Sequence, residues 1–174
     1  MLRKSLAGAL LLACLAGSAS ASSLQVGFSP EGSAEALVLK VIGSAKHDIR
    51  MMGYSFTSPA IARALATAAR SGIDVKMVID DHGNRGKASR AAMNLVVNAG
   101  VQLRTDDRYK IQHDKVIVID SRTVETGSFN YTASAAKANS ENALVAWDVP
   151  EIANDYLGHW QSRWDQGTDY RSSY

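Results

Sequence analysis

Gln112-His113-Asp114-Lys115-Val116-Ile117-Val118-Ile119-Asp120-Ser121-Arg122-Thr123-Val124-Glu125-Thr126-Gly127-Ser128-Phe129-Asn130 is the stretch on which the fold of this chain turns. Its core, Val116 to Ile119, is β-branched throughout and too short for a typical helix, so it reads as a buried strand. The polar break Asp120-Ser121-Arg122 separates it from a second extended run, Thr123 toward Gly127. Two short strands around a brief polar turn predict a hairpin. Folding back near Ser121 sets His113 and Lys115 opposite the segment Gly127 to Asn130. Strand side chains alternate faces, so His113 and Lys115 share one face, and Ser128 and Asn130 share one. An imidazole, an ammonium, a hydroxyl and a carboxamide therefore converge at the open end of the hairpin.

Those groups suit phosphoryl transfer. A neutral imidazole can attack phosphorus, while a lysine and an asparagine hold the non-bridging oxygens. No carboxylate cluster lies inside the constellation, so the expectation is no metal and no cofactor, with Lys115 supplying the positive charge. The bland alternative is a buried hairpin whose His and Lys cap a strand, but such a hairpin has no reason to satisfy every spacing. The pattern His-x-Lys-x4-Asp-x6-Gly-Ser-x-Asn, filled by His113, Lys115, Asp120, Gly127, Ser128 and Asn130, resembles the signature of the phospholipase D superfamily.

Outward from the hairpin, residues 1–21 read as an address. Arg3 and Lys4 form a positive start, Leu6 to Ala16 an apolar run shorter than a spanning helix, and Ala19-Ser20-Ala21 a small-residue cleavage site. The expectation is cleavage after Ala21, export to the periplasm or medium, and a single mature domain over 22–174. The full chain carries 19 Lys+Arg and 17 Asp+Glu, and the signal removes two bases and no acid. A mature charge near zero leaves any attraction to a polyanion to local clusters. Cys14, the only cysteine, leaves with the signal, so stability has to come from a core.

The mature sequence alternates strand and helix signals. Strands are expected at Leu24–Phe28, Asp48–Phe56, Val75–Ile79, Val101–Thr105 and Glu141–Trp147. Helices are expected through Leu37–Ala45, after Ser58-Pro59, over Ala88–Asn98, and from Pro150 with Ile152, Tyr156, Leu157, Trp160 and Trp164 on one face. This alternation predicts an α/β fold, a mixed sheet sandwiched between helices. There is no internal repeat, and no second His-x-Lys follows His47, His82 or His159.

Other candidates are weaker. Glu141 could accept the Nδ1 proton of His113 or be an ordinary strand-end glutamate, and spacing alone leaves both open. Asp120 belongs to the motif yet sits at the far end of the strand from His113, which favours a structural or interface role. Asp80-Asp81-His82 could suggest a metal, although loops after strands collect such residues as turn formers. His47 and His159 read as surface residues beside helix ends.

The resemblance extends over the mature chain. Gly53-Tyr54-Ser55-Phe56-Thr57-Ser58-Pro59 and Asp169-Tyr170-Arg171 are similar to segments of the small secreted Nuc-type endonucleases of the superfamily. It implies a metal-independent homodimer acting on DNA, single- or double-stranded, with His113, Lys115, Ser128, Asn130 and Glu141 in the active site alongside the motif's Asp120. His113, Lys115 and Asn130 would hold the phosphate. It also resolves Glu141 toward the site, since those nucleases carry a glutamate there. The same motif serves phospholipases, so hydrolysis of phospholipid head groups is the alternative. A single motif argues for a dimer chemically as well, because one imidazole cannot attack phosphorus and protonate the leaving oxygen together.

Overall fold

The computed structural model describes residues 21–173, so the expected signal segment lies outside the described residues except for Ala21. The elements run β1 (Ser23–Ser29), α1 (Ser33–Ser44), β2 (Asp48–Gly53), α2 (Pro59–Arg70), β3 (Asp74–Asp80), a 3-10 turn (His82–Asn84), α3 (Lys87–Val97), β4 (Gln102–Asp106), β5 (Lys115–Ile119), β6 (Thr123–Gly127), α4 (Ala133–Lys137), β7 (Glu141–Trp147), α5 (Pro150–Gln166) and β8 (Thr168–Asp169). All eight strands form one sheet in the order β1-β7-β6-β5-β2-β3-β4-β8. β2, β3 and β4 run parallel, and every other pairing is antiparallel.

Local chemistry explains the boundaries. Ser58 Oγ accepts from the Ile61 amide at 3.3 Å and Pro59 opens α2, two devices that satisfy or remove free helix-start donors. The apolar spacing of α2 then buries Ile61, Ala62, Leu65 and Ala66. The expected strand Asp48–Phe56 stops at Gly53 instead. Beyond it the buried Asn84 carboxamide replaces ladder partners, donating to Tyr54 O at 2.7 Å and accepting from Phe56 N at 2.9 Å. α4 and β8, each five residues or fewer, were not expected from sequence pattern.

The sheet has two unlike faces. One carries the larger core, where α1, α2 and α3 contribute Val38, Val41, Leu65 and Met93 against Ile49, Met77, Ile117 and Val145. On the other face, α5 lays Ala153 and Trp160 over Met52, Val78, Val116, Val118 and Val124. The buried Trp160 indole stays satisfied by donating to Met51 O at 3.1 Å. Helices on both faces match the expected sandwich.

The β5–β6 hairpin lies at the centre of this sheet, and every residue of β5 is buried. Val116 pairs with Thr126 and Ile119 with Thr123, so Lys115 falls opposite Gly127 as the folding-back argument requires. Asp120 and Ser121, at φ 50° and 54°, make the left-handed turn that matches hairpin twist.

Candidate active site

At the open end of the hairpin His113 and Lys115 lead into β5, Ser128 and Asn130 follow β6, and Glu141 opens β7. His113 is exposed at the end of the loop leading into β5. The residue before it is fixed: the Gln112 amide donates to Asp80 Oδ2 at 2.9 Å. Asp80, 1% exposed, also accepts from the Gly83 amide, so this aspartate ties the loop to the end of β3. Asp81 pairs with Arg85, and no group of three His, Cys, Asp or Glu is arranged for a metal among the described residues.

Lys115 is only 6% exposed, yet its ammonium has one hydrogen bond among the described residues, to His113 O at 2.7 Å. Two of its three N–H donors are left for a ligand. Burial lowers its pKa below the usual lysine range, while the Asp114 and Glu141 carboxylates pull it back up. The Tyr54 ring packs against both key groups, with its centroid 5.0 Å from that of His113 and 5.6 Å from Lys115 Nζ. Tyr54 was not singled out for a role by the sequence.

On the opposite strand, Gly127 is dictated by space. A Cβ there would sit 2.3 Å from Asn142 O, the same carbonyl that accepts from the Ser128 and Phe129 amides at 3.1 Å. Ser128 Oγ in turn accepts from the Asn142 amide at 3.0 Å, which locks the loop to β7. Asn130 stands between Phe129 and Tyr131, both fully buried, and its buried Oδ1 has no partner among the described residues.

Beneath this loop Tyr131 Oη donates to Glu125 Oε2 at 2.8 Å, in a pair with no solvent exposure. Burial pushes the Glu125 carboxyl up to about 8, with the Tyr131 hydrogen bond opposing in part, so it is neutral at pH 7. Tyr131 O accepts from the Thr57 and Ser58 amides at 2.9 Å, which joins the Asn130 loop to the segment leading into α2. Sequence reasoning missed this pair.

Glu141 opens β7 and accepts from Asn139 Nδ2 at 2.9 Å, close enough to Lys115 to act on its charge. The hydrogen bond expected from His113 is not made among the described residues. Asp120 does not join the site. At the turn end of the hairpin its carboxylate accepts from the amides of Lys46, His47 and Asp48 at 2.8–2.9 Å, which fits the structural role inferred for it rather than a catalytic one. Burial opposes its ionisation, but those amides and His47 outweigh it and hold the carboxyl below the usual range. His159, expected as a mere surface residue, places Nε2 3.3 Å from Asp114 Oδ1, beside His113 in the chain.

A family model described as the PLD-like domain of cardiolipin synthase matches residues 38–164. The crystal structure of Nuc, a phospholipase D family member from Salmonella typhimurium, is 60% identical, with a TM-score of 0.86 over 87% of this chain and all of that one. NucT from Helicobacter pylori is 25% identical, with a TM-score of 0.73 over 86% of this chain and all of that one. A phospholipase D of Rickettsia bellii is 35% identical over 83% of this chain and 70% of its own length. With the His-x-Lys strand and the Gly-Ser-x-Asn loop paired across one hairpin, the chain belongs to the phospholipase D superfamily and is an enzyme of the phosphodiesterase type.

Proposed function

We propose that this enzyme is a metal-independent endonuclease that hydrolyses DNA phosphodiester bonds through a covalent phosphohistidine on His113. The observation that carries the reading is Lys115, a buried ammonium with two unspent donors beside an exposed imidazole. A phosphate is the ligand class that uses both at once. In the first step the neutral imidazole forms a P–N bond as the P–O bond to the leaving sugar breaks, and that oxygen takes a proton from an acid opposite. Water then attacks phosphorus, the P–N bond breaks, and the acid, now a base, takes the water's proton. Lys115 and Asn130 hold the non-bridging oxygens as charge builds on them. Ser128 braces the Asn130 loop through Asn142, and Glu141 stays available to orient an imidazole.

The acid is supplied in this reading by a second copy of the chain, giving a homodimer with a shared site. Leu24, Val26, Phe28 and Leu144 are 70, 51, 51 and 38% exposed. Alternation places them on the sheet face that carries α5, beyond the reach of that helix. Phe28 pairs with Asn142, which binds Ser128, so this apolar strip runs up to the site. A two-fold contact along it would cover the strip and bring two open hairpin ends together. Mixing wild type with excess His113→Ala tests this: activity per wild-type chain falls if the site is shared and stays constant if each chain works alone.

Export to the periplasm or medium, without stable membrane association after signal removal, belongs to the same proposal and rests on residues 1–21. A second reading, phospholipid head-group hydrolysis, is favoured by the exposed apolar strip beside the site and by the relatives named phospholipase D. Plasmid DNA and phospholipid vesicles, offered to the same purified protein in excess chelator, decide between them. The nuclease reading expects plasmid cleavage and intact lipid, and the reverse result overturns it.

A further inference from the structure

Beside His113 lies a hollow of about 310 Å³, walled by Tyr109, Ile111, Gln112, Asp114, His159 and Arg163. Arg163 stacks its guanidinium 4.6 Å from the Tyr109 ring centroid, and the Tyr109 hydroxyl donates to Gln166 Oε1 at 3.0 Å. The pair is therefore held together between the loop and α5. Arg163 bonds only Ser162 Oγ among the described residues and has no carboxylate partner there. Ile111 is 47% exposed, a large apolar side chain turned to water at the rim. Gln112, 2% exposed, brings a buried Oε1 with no partner among the described residues. Arg108 and Lys110 are exposed on the same loop.

Charge gives the hollow a direction. The Asp114–His159 pair divides it from a second hollow of about 260 Å³ lined by Asp114, Asp155, Tyr156 and His159. Asp114 lines both hollows; the first sets Arg163 against that one carboxylate, whereas the neighbour adds Asp155 and no arginine or lysine, which makes the first the more favourable for a polyanion.

We propose that the first hollow is a subsite for the unpaired nucleotide flanking the scissile phosphate. Its base lies on the Tyr109–Arg163 pair against Ile111, and Arg163 meets the next phosphate. Stacking on aromatic rings and guanidinium planes is how proteins hold single strands with little sequence preference. A base inside a duplex has both faces stacked already and has to be extruded before it can enter such a hollow, which costs its pairing and stacking. The enzyme thus prefers single-stranded or locally melted nucleic acid. This deepens the nuclease reading and rests on it.

The test compares kcat/KM for a single-stranded oligonucleotide, the same sequence in a stable duplex, and bis(p-nitrophenyl) phosphate. Wild type is expected to favour the single strand over the duplex by at least about tenfold, consistent with the worth of one stacked base. Tyr109→Ala and Arg163→Gln should each lower the ratio of oligonucleotide to small-diester efficiency by about tenfold, chiefly through KM. A ratio that counts only folded enzyme is indifferent to partial unfolding, and Tyr109→Leu gives a bulk-preserving check. Equal wild-type efficiency on duplex and single strand, or an unchanged ratio in both Tyr109→Ala and Arg163→Gln, overturns the subsite while leaving the nuclease reading intact. Turnover of the small diester with none of any polynucleotide overturns both.

Discussion

The two ends of one hairpin are built on opposite principles. At the turn end, Asp120 spends both carboxylate oxygens on three backbone amides. At the open end, Lys115 is buried with one carbonyl for company, and Asn130 Oδ1 is buried with no partner among the described residues. Buried polar groups cost stability when they go unmatched, so most of them in a fold find partners. The contrast teaches where this chain keeps binding capacity: the Lys115 ammonium retains donors that, in the proposed reading, the oxygens of a substrate phosphate accept from. Both ends carry motif residues, but only one is poised to react.

Breaking the open end should have the largest effect. His113→Ala is expected to abolish turnover of DNA, because it removes the proposed nucleophile. Lys115→Ala and Asn130→Ala should each lower kcat by about 10²–10³, the usual loss for a donor aimed at developing charge. Steady-state kinetics with thermal melts alongside check this, and activity within about twofold of wild type in either would remove that residue from the site.

The turn end should answer in stability rather than rate. Asp120→Ala leaves three amides without their acceptor and is expected to cost about 2–3 kcal/mol in urea unfolding, by analogy with other charge-assisted bonds. The rate per folded molecule should persist. A large fall in kcat with unchanged stability would erase the difference between the two ends.

Glu125 sharpens the comparison through pH. Burial raises its folded pKa to about 8 from the ordinary 4.5, so its folded state holds a proton that the unfolded chain has lost. The associated stability is full below about 4.5 and drains as pH rises through about 8. Between pH 6 and 8 that amounts to roughly 2–3 kcal/mol. Glu125→Gln should flatten this decline in denaturant titrations, and a decline of the same size in the variant would assign it elsewhere. The smallest expected effect is that of excess chelator on DNA cleavage, which should be none. Loss restored by magnesium or zinc would move the chemistry away from Lys115.

Much of this was legible in the sequence because it is written in short-range pattern. The β-branched run Val116–Ile119 and the polar turn set the hairpin, and folding back near Ser121 set His113 and Lys115 opposite the segment Gly127 to Asn130; the exact register came from the strand pairing. The structural reading of Asp120 followed from strand length alone. What escaped depends on contacts between distant segments. Tyr54 meets His113 only because β2 pairs with β5, and Asp80 reaches Gln112 across a gap of 32 positions. Glu125 drew no reading from the sequence, since nothing local says that its face is covered by the core. His159 read as a surface residue beside a helix end, whereas it lies within α5, which carries it back to Asp114.

In the proposed chemistry a phosphate completes the open end of the hairpin and His113 takes it covalently, which can be followed by acid- and base-quenching enzyme mixed with phosphate-labelled single-stranded DNA over a range of times. Label should remain on wild-type protein with the acid lability and base stability of a phosphohistidine, map to His113, and be absent from His113→Ala. Labelled product formed at full rate, with no protein-bound label at any quench time, would contradict it and point to direct attack by water.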